Sequence, residues 1–206
     1  MLYDETLADR EYWSWFTGEE FKTGPGKNDI GDEVRTELES FVDPGKVMNI
    51  MCGKYGLIKS HLGLDVSPHM LRKNKDLTRR VVCDLNADTS YPIRNEEFDT
   101  AVIINGIAYL RNPTHAFKEI ARTLKLGGVL VVGFDHNQTR KGQKEWGCLN
   151  ENDKLAKLQD LYSQAGFGPQ IIKKFKVHWG FPNHDIRLEN TFYLVKAEKS
   201  PASHVL

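Results

Sequence analysis

NEEFDTAVIINGIAYLRNPTHAFKEIARTLKLGGVLVVGF, running from Asn95 to Phe134, alternates strand, loop, helix, glycine turn and strand. Thr100 to Ile104 is a short apolar run rich in Val and Ile, the composition of a strand covered on both faces. Pro113 suits the first turn of a helix, where its missing N–H costs nothing. Ala116, Phe117, Ile120, Ala121 and Leu124 follow at three- and four-residue spacings, which aligns them on one face. Gly127 reads as a left-handed cap ending that helix, and Gly128 as the release into a strand from Val129 to Phe134. A unit of this size joins neighbouring parallel strands by a right-handed crossover.

Upstream, strands are expected over Val47–Met51, near Leu62–Val66 and over Arg80–Cys83. Ser67 caps a short helix with Pro68 at its first position, running to about Asn74. Residues 1–45 read as an N-terminal helical cap, with Leu7, Tyr12, Trp15 and Phe16 as an apolar stripe. In that cap a Gly/Pro loop spans Phe21 to Asp29 and a helix spans Gly31 to Phe41. Residues 46–206 form the core. After Asp135 the polar run HNQTRKGQKEWGCLN is expected as a loop or lid with irregular helix. From Asn152 a helix buries Leu155, Leu158, Leu161, Tyr162 and Ala165, and Gly166 ends it. A strand from Ile171 to Val177, a loop from His178 to Arg187 and a strand from Thr191 to Ala197 complete the chain.

The 206 residues suffice for one well-buried core and are few for two domains. Formal net charge is zero, so no global basic field favours a nucleic-acid substrate. Lys141, Lys144, Lys173, Lys174 and Lys176 would make a local basic patch if they gathered; a solvated surface is the plainer reading. Cys52, Cys83 and Cys148 are odd in number and lack metal-ligand spacing, which points to a reducing interior and to no zinc site. No apolar run approaches a membrane span, and the acidic N-terminus has no signal-peptide core. A cytoplasmic location is the expectation.

Phe98-Asp99, Tyr109-Leu110 and the run from Glu119 to Gly128 resemble the fourth strand, following helix and fifth strand of class I S-adenosylmethionine-dependent methyltransferases. The family's turn is usually Arg-x-Leu-Lys-Pro-Gly-Gly, so Leu126 stands where Pro is usual. The resemblance reaches back to about Val47 and, more loosely, on to the C-terminus. It implies a doubly wound, Rossmann-like α/β fold: three layers around a seven-stranded sheet, mostly parallel, with the last strand antiparallel beside the fifth.

The same resemblance implies S-adenosylmethionine as cofactor, held beyond the carboxyl ends of strands one to four. Asp65 falls at the acidic position after the second strand, suited to accept from ribose hydroxyls, with Val66 beside it and Met70 against the adenine. Asp84 falls at the adenine position, with Leu85 and Asn86. Asn105 and Gly106, after the fourth strand, meet the methyl group. The first motif departs from acidic-x-Gly-x-Gly-x-Gly: in NIMCGKYG, Asn49 replaces the carboxylate, Met51 the first glycine and Tyr55 the last. Asn49, Cys52 and Gly53 are the positions left to contact the cofactor there. Only twelve steps separate Gly53 from Asp65, so the first crossover has room for about two helical turns at most, or an irregular loop. That shortened, glycine-poor loop is similar to a subgroup of small methyltransferase-like proteins.

Methyl transfer from a sulfonium is an in-line displacement that needs alignment and exclusion of water. His136, directly after the fifth strand, and Tyr109 are the candidate catalytic residues. His178 and His184, and Tyr3, Tyr12 and Trp15 from the cap, are further candidates to close over the pocket. The leading reading is methyl transfer to a small-molecule acceptor by a monomer or homodimer, without nucleic acid, membrane or metal. The alternative is a methyltransferase-like protein that binds a ligand or partner without methyl transfer, because its first motif is degenerate. NAD binding is disfavoured, since no G-x-G-x-x-G follows a strand.

Overall fold

The structure, a computed structural model, describes residues 31–54, 57–136, 144–181 and 184–201. Its elements in chain order are α1 (Gly31–Phe41), β1 (Val47–Ile50), β2 (Ser60–Asp65), α2 (Pro68–Lys73), β3 (Leu77–Val82), β4 (Phe98–Ile104), a 3₁₀ turn (Ile107–Tyr109), α3 (Pro113–Thr123), β5 (Leu124–Asp135), α4 (Lys144–Gly147), α5 (Glu151–Gln164), β6 (Phe167–Phe181) and β7 (His184–Lys199). The expected cap residues 1–30, with Leu7, Tyr12, Trp15 and Phe16, lie outside the described residues, as do Tyr55, Gly56 and Lys141.

One seven-stranded sheet has the order β3-β2-β1-β4-β5-β7-β6. β7 runs antiparallel to both neighbours, and the other pairings are parallel. The strand order reverses between β1 and β4, which opens a crevice beyond their carboxyl ends. Side chains alternate across β5: Leu130 and Val132 face the layer of α3 and α5, while Val129 and Val131 face α1 with its Val34, Leu38 and Phe41. Tyr162 of α5 is fully buried, and its hydroxyl donates at 3.2 Å and 2.9 Å to the carbonyls of Leu130 and Val195.

α3 begins as its sequence requires. Pro113 occupies the first turn, and the Asn112 side chain accepts from the His115 N–H at 3.1 Å. Its end differs from expectation. The helix closes at Thr123, because the N–H groups of Glu96 and Glu97 take the carbonyls of Arg122 and Thr123 at 3.0 and 2.9 Å. Gly127 keeps its left-handed backbone, φ +74°, inside a bulge of β5 rather than as the helix cap. Leu126, where the family usually has Pro, is 60% exposed there, so no packing demands that ring.

Three other expectations shift. β3 starts three residues early, as an exposed edge strand whose arginines hide its period. The expected loop from His178 to Arg187 is mostly hairpin, since β6 and β7 stay paired out to Phe181 and His184. The lysines of β6 are divided: Lys173 pairs with Glu37 of α1 at 3.6 Å and Lys174 with Glu151 of α5 at 2.8 Å, on opposite faces of the sheet. Strand alternation leaves Lys176 on the face of Lys174 and keeps Lys173 from joining them.

Candidate functional site

Between β1 and β2 the described residues contain no helix, as the short crossover requires. The loop is shaped by backbone instead. Met51 and Gly53 both take left-handed conformations, φ +53° and +54°. For Met51 this costs roughly 1–2 kcal/mol relative to an ordinary backbone. So the chain preserves the glycine-type geometry of the first motif even where the glycine is gone.

Neighbouring elements hold that loop in place. Asp65, at the end of β2 and 9% exposed, accepts from the Gly53 N–H at 3.0 Å and from the Ser67 N–H at 2.9 Å. Burial raises its pKa above the usual carboxylate value, and the backbone N–H groups partly offset that. Asn74, fully buried after α2, donates to the carbonyls of Cys52 and Gly53 at 3.3 and 3.1 Å. Arg80 in turn binds the carbonyls of Leu71 and Asn74 at 2.7 and 2.6 Å. On the other side, Asn105 also has a left-handed backbone, φ +54°, and its side chain accepts from the Asp135 N–H at 3.2 Å.

These loops enclose a pocket of about 690 Å³, including its open mouth. Of the expected site residues, Gly53, Asp65, Val66, Met70, Asp84, Leu85, Asn86, Asn105, Gly106 and Tyr109 all line it, together with Met51. Two carboxylates, Asp65 and Asp84, face an otherwise largely apolar wall, and among the described residues no Lys, Arg or His lines it. Asn86 also serves as a brace. Its amide donates to the Tyr109 carbonyl at 3.1 Å and its oxygen accepts from the Arg111 N–H at 2.7 Å, tying the loop after β3 to the turn after β4.

Three expected residues are not brought there. Asn49 is buried within β1, in register with Gly63 and Val102. Cys52 packs beside Leu71 and Leu77, and burial pushes its thiol pKa far up, which suits an inert apolar role. His136 continues the β5–β7 ladder: its N–H donates to the Thr191 carbonyl at 2.8 Å, and its carbonyl accepts from Lys154 Nζ at 2.6 Å. His178 and His184 fall on the far hairpin, with side chains outside the described residues, and Tyr3, Tyr12 and Trp15 lie outside them as well.

Sequence reasoning missed Asn74 and Lys154. Asn74 reads as a helix end, and nothing local signals that its amide reaches the β1 loop. Lys154 sits one position from the apolar face of α5 and is 1% exposed; burial lowers its pKa. The Glu119–Arg122 pair of the family-like block is structural. Arg122 donates to both Glu119 oxygens, the carbonyls of Tyr91 and Ile93 and the Asn95 side chain, while Glu119 accepts from the Tyr91 N–H at 2.7 Å.

Residues 44–132 match the methyltransferase domain family. That stretch runs from just before β1 into β5 and includes the crevice described above, so this part of the chain is similar to the methyltransferase domain family. Over 88 residues the chain is 31% identical to an uncharacterized protein of Methanocaldococcus jannaschii, a stretch that is 41% of this chain and 35% of that one. The chain thus spans about a third of the curated relative it matches. Two solved structures share the fold. A Thermotoga maritima S-adenosylmethionine-dependent methyltransferase, described as a possible histamine N-methyltransferase, aligns with TM-score 0.61 at 20% identity, covering 81% of this chain and 87% of that one. The cyclase SpnF aligns with TM-score 0.58 at 14% identity, covering 86% and 87%. No helix among the described residues is long and apolar enough to cross a membrane.

Proposed function

We propose that this chain binds S-adenosylmethionine in the pocket between β1, β2, β3 and β4 and transfers its methyl group to a small-molecule acceptor. The observation that carries the reading is the placement of Asp65. A carboxylate has about four acceptor positions; the Gly53 and Ser67 N–H groups take two and the Val66 N–H also bonds there. The acceptor capacity left over suits a ribose hydroxyl at the rim of a pocket whose apolar walls, Met70 and Leu85, suit a planar base. When bound, the cofactor supplies an electrophilic methyl on a sulfonium. Asp65 and Asp84 favour a cation in the pocket electrostatically. Asn105, fixed by its bond to the Asp135 N–H, shapes the turn at which an acceptor would approach. An acceptor that is already nucleophilic when neutral needs no proton removed before attack, and alignment then provides the rate gain.

The likeness to a possible histamine N-methyltransferase supports a small acceptor. A second reading, ligand binding without methyl transfer, draws on Met51 and on the likeness to a cyclase of the same fold. Calorimetry with S-adenosylmethionine and S-adenosylhomocysteine separates the outcomes. Binding in the range of about tens of micromolar is expected, since each lost 1.4 kcal/mol weakens binding tenfold. No binding by folded protein up to millimolar ligand would sink the cofactor reading. Binding without methyl transfer to any of a panel of amines, thiols and phenols would favour the second.

A further inference from the structure

We propose that Met51 sets the ligand selectivity of this pocket: its side chain closes the end between β1 and β4 and leaves the nucleoside end at β2 and β3 open. The inference rests on the cofactor reading above and assigns Met51 a role that reading does not contain.

The geometry is reciprocal. Met51 occupies a left-handed position that glycine prefers, and its side chain lies against Gly106 across the pocket. A Cβ built on Gly106 would stand 2.9 Å from Met51 Sδ, 3.1 Å from Met51 Cβ and 2.9 Å from Ile103 Cγ2. With Met51 in place, a side chain at position 106 would have to displace the methionine, and the Ile103 side chain would have to give as well. Met51 stands where the family resemblance leads one to expect a glycine, and its side chain fills the space beside Gly106.

The consequence depends on where a ligand lies. A nucleoside seated on Asp65, Met70 and Leu85 directs its 5′ substituent toward Met51, Asn105 and Gly106. A short thioether stops at the methionine side chain. An aminoacyl chain must pass it. Met51 therefore discriminates by the length of the 5′ substituent, favouring nucleosides with small ones and weakening ligands with the full aminoacyl arm.

The test is a calorimetric comparison of 5′-methylthioadenosine with S-adenosylhomocysteine for the wild type, M51G, M51A, G106A and M51G/G106A, with thermal melting to verify folding. M51G should raise the S-adenosylhomocysteine affinity relative to 5′-methylthioadenosine by about tenfold, with M51A following in the same direction. G106A should push the flexible Met51 side chain into the pocket and lower S-adenosylhomocysteine affinity several-fold. The double variant should recover the part of that loss that comes from Met51 and not the part that comes from Ile103, a non-additivity expected only of groups in contact. If wild type binds both ligands and neither M51G nor M51A shifts their ratio, the selectivity role is overturned while the cofactor reading stands. If folded wild type binds neither ligand, the cofactor reading fails and takes this one with it.

Discussion

Two crossovers of the parallel sheet are built on opposite plans. Between β4 and β5 the chain supplies its own order: an eleven-residue helix capped by Asn112, and a turn clamped by Glu119 and Arg122. Between β1 and β2 no described residue is helical, and the loop borrows its order from Asp65 and Asn74 next door. The difference shows a division of labour. The β4–β5 crossover buries a helix face and fixes the sheet. The β1–β2 crossover leaves backbone uncovered at the switch point, where a ligand can approach.

The sharpest way to break this comparison is Arg122→Ala. It would leave the Glu119 carboxylate and the Tyr91 and Ile93 carbonyls without their cation, at a cost of about 3 kcal/mol, the scale for breaking a largely buried pair. Denaturant unfolding should read that loss. A change under about 0.5 kcal/mol would mean that the clamp is incidental. The same pair dictates a pH dependence. The hydrogen bond from Arg122, foremost, holds the Glu119 pKa below the ordinary range. Its contribution is therefore complete above the unfolded value of about 4.3 and is lost as pH falls through the lower folded value. Unfolding midpoints across acid pH should show this decline in the wild type and a shallower one in Arg122→Ala.

Asp65→Ala sharpens the other side. It removes the acceptor for a ligand hydroxyl and the tie to Gly53, so S-adenosylhomocysteine affinity should fall by about 1.5–3 kcal/mol, the scale of a hydrogen bond to a charged group. Unchanged affinity in folded protein would put the ligand elsewhere. Asn74→Ala leaves the Cys52 and Gly53 carbonyls without their donor, at about 1–2 kcal/mol of stability. Because it touches no ligand, weakened binding by this variant would establish that loop order is borrowed, and unaltered binding would refute it. Smallest is Ser67→Ala, which deletes the α2 cap at about 1 kcal/mol, read by thermal melting. The counterpart Asn112→Ala on α3 should cost a similar amount yet leave binding untouched.

Much of the fold is legible in particular residues. The Val/Ile run at Thr100–Ile104, Pro113 after Asn112 and the helical spacing to Leu124 state local preferences that tertiary packing agrees with. Gly127 illustrates the limit. Its left-handed backbone is a local property and is present, but whether it ends a helix or forms a bulge depended on Glu96 and Glu97, thirty residues earlier. β3 and the far hairpin were misjudged in extent because edge strands and hairpin tips face water and need no apolar alternation.

The site divides the same way. The order of acidic and small residues after each strand follows from sequence alone, since strand ends bring those positions together wherever the sheet forms. Tertiary structure alone decided which of them face the pocket. It withdrew Asn49 into β1, buried Cys52 beside Leu71 and Leu77, placed His136 on the β5–β7 ladder and set Met51 against Gly106. The reason is physical: strand and helix propensities act over a few residues, whereas a side chain's neighbours across a crevice are chosen by packing among segments distant in the chain.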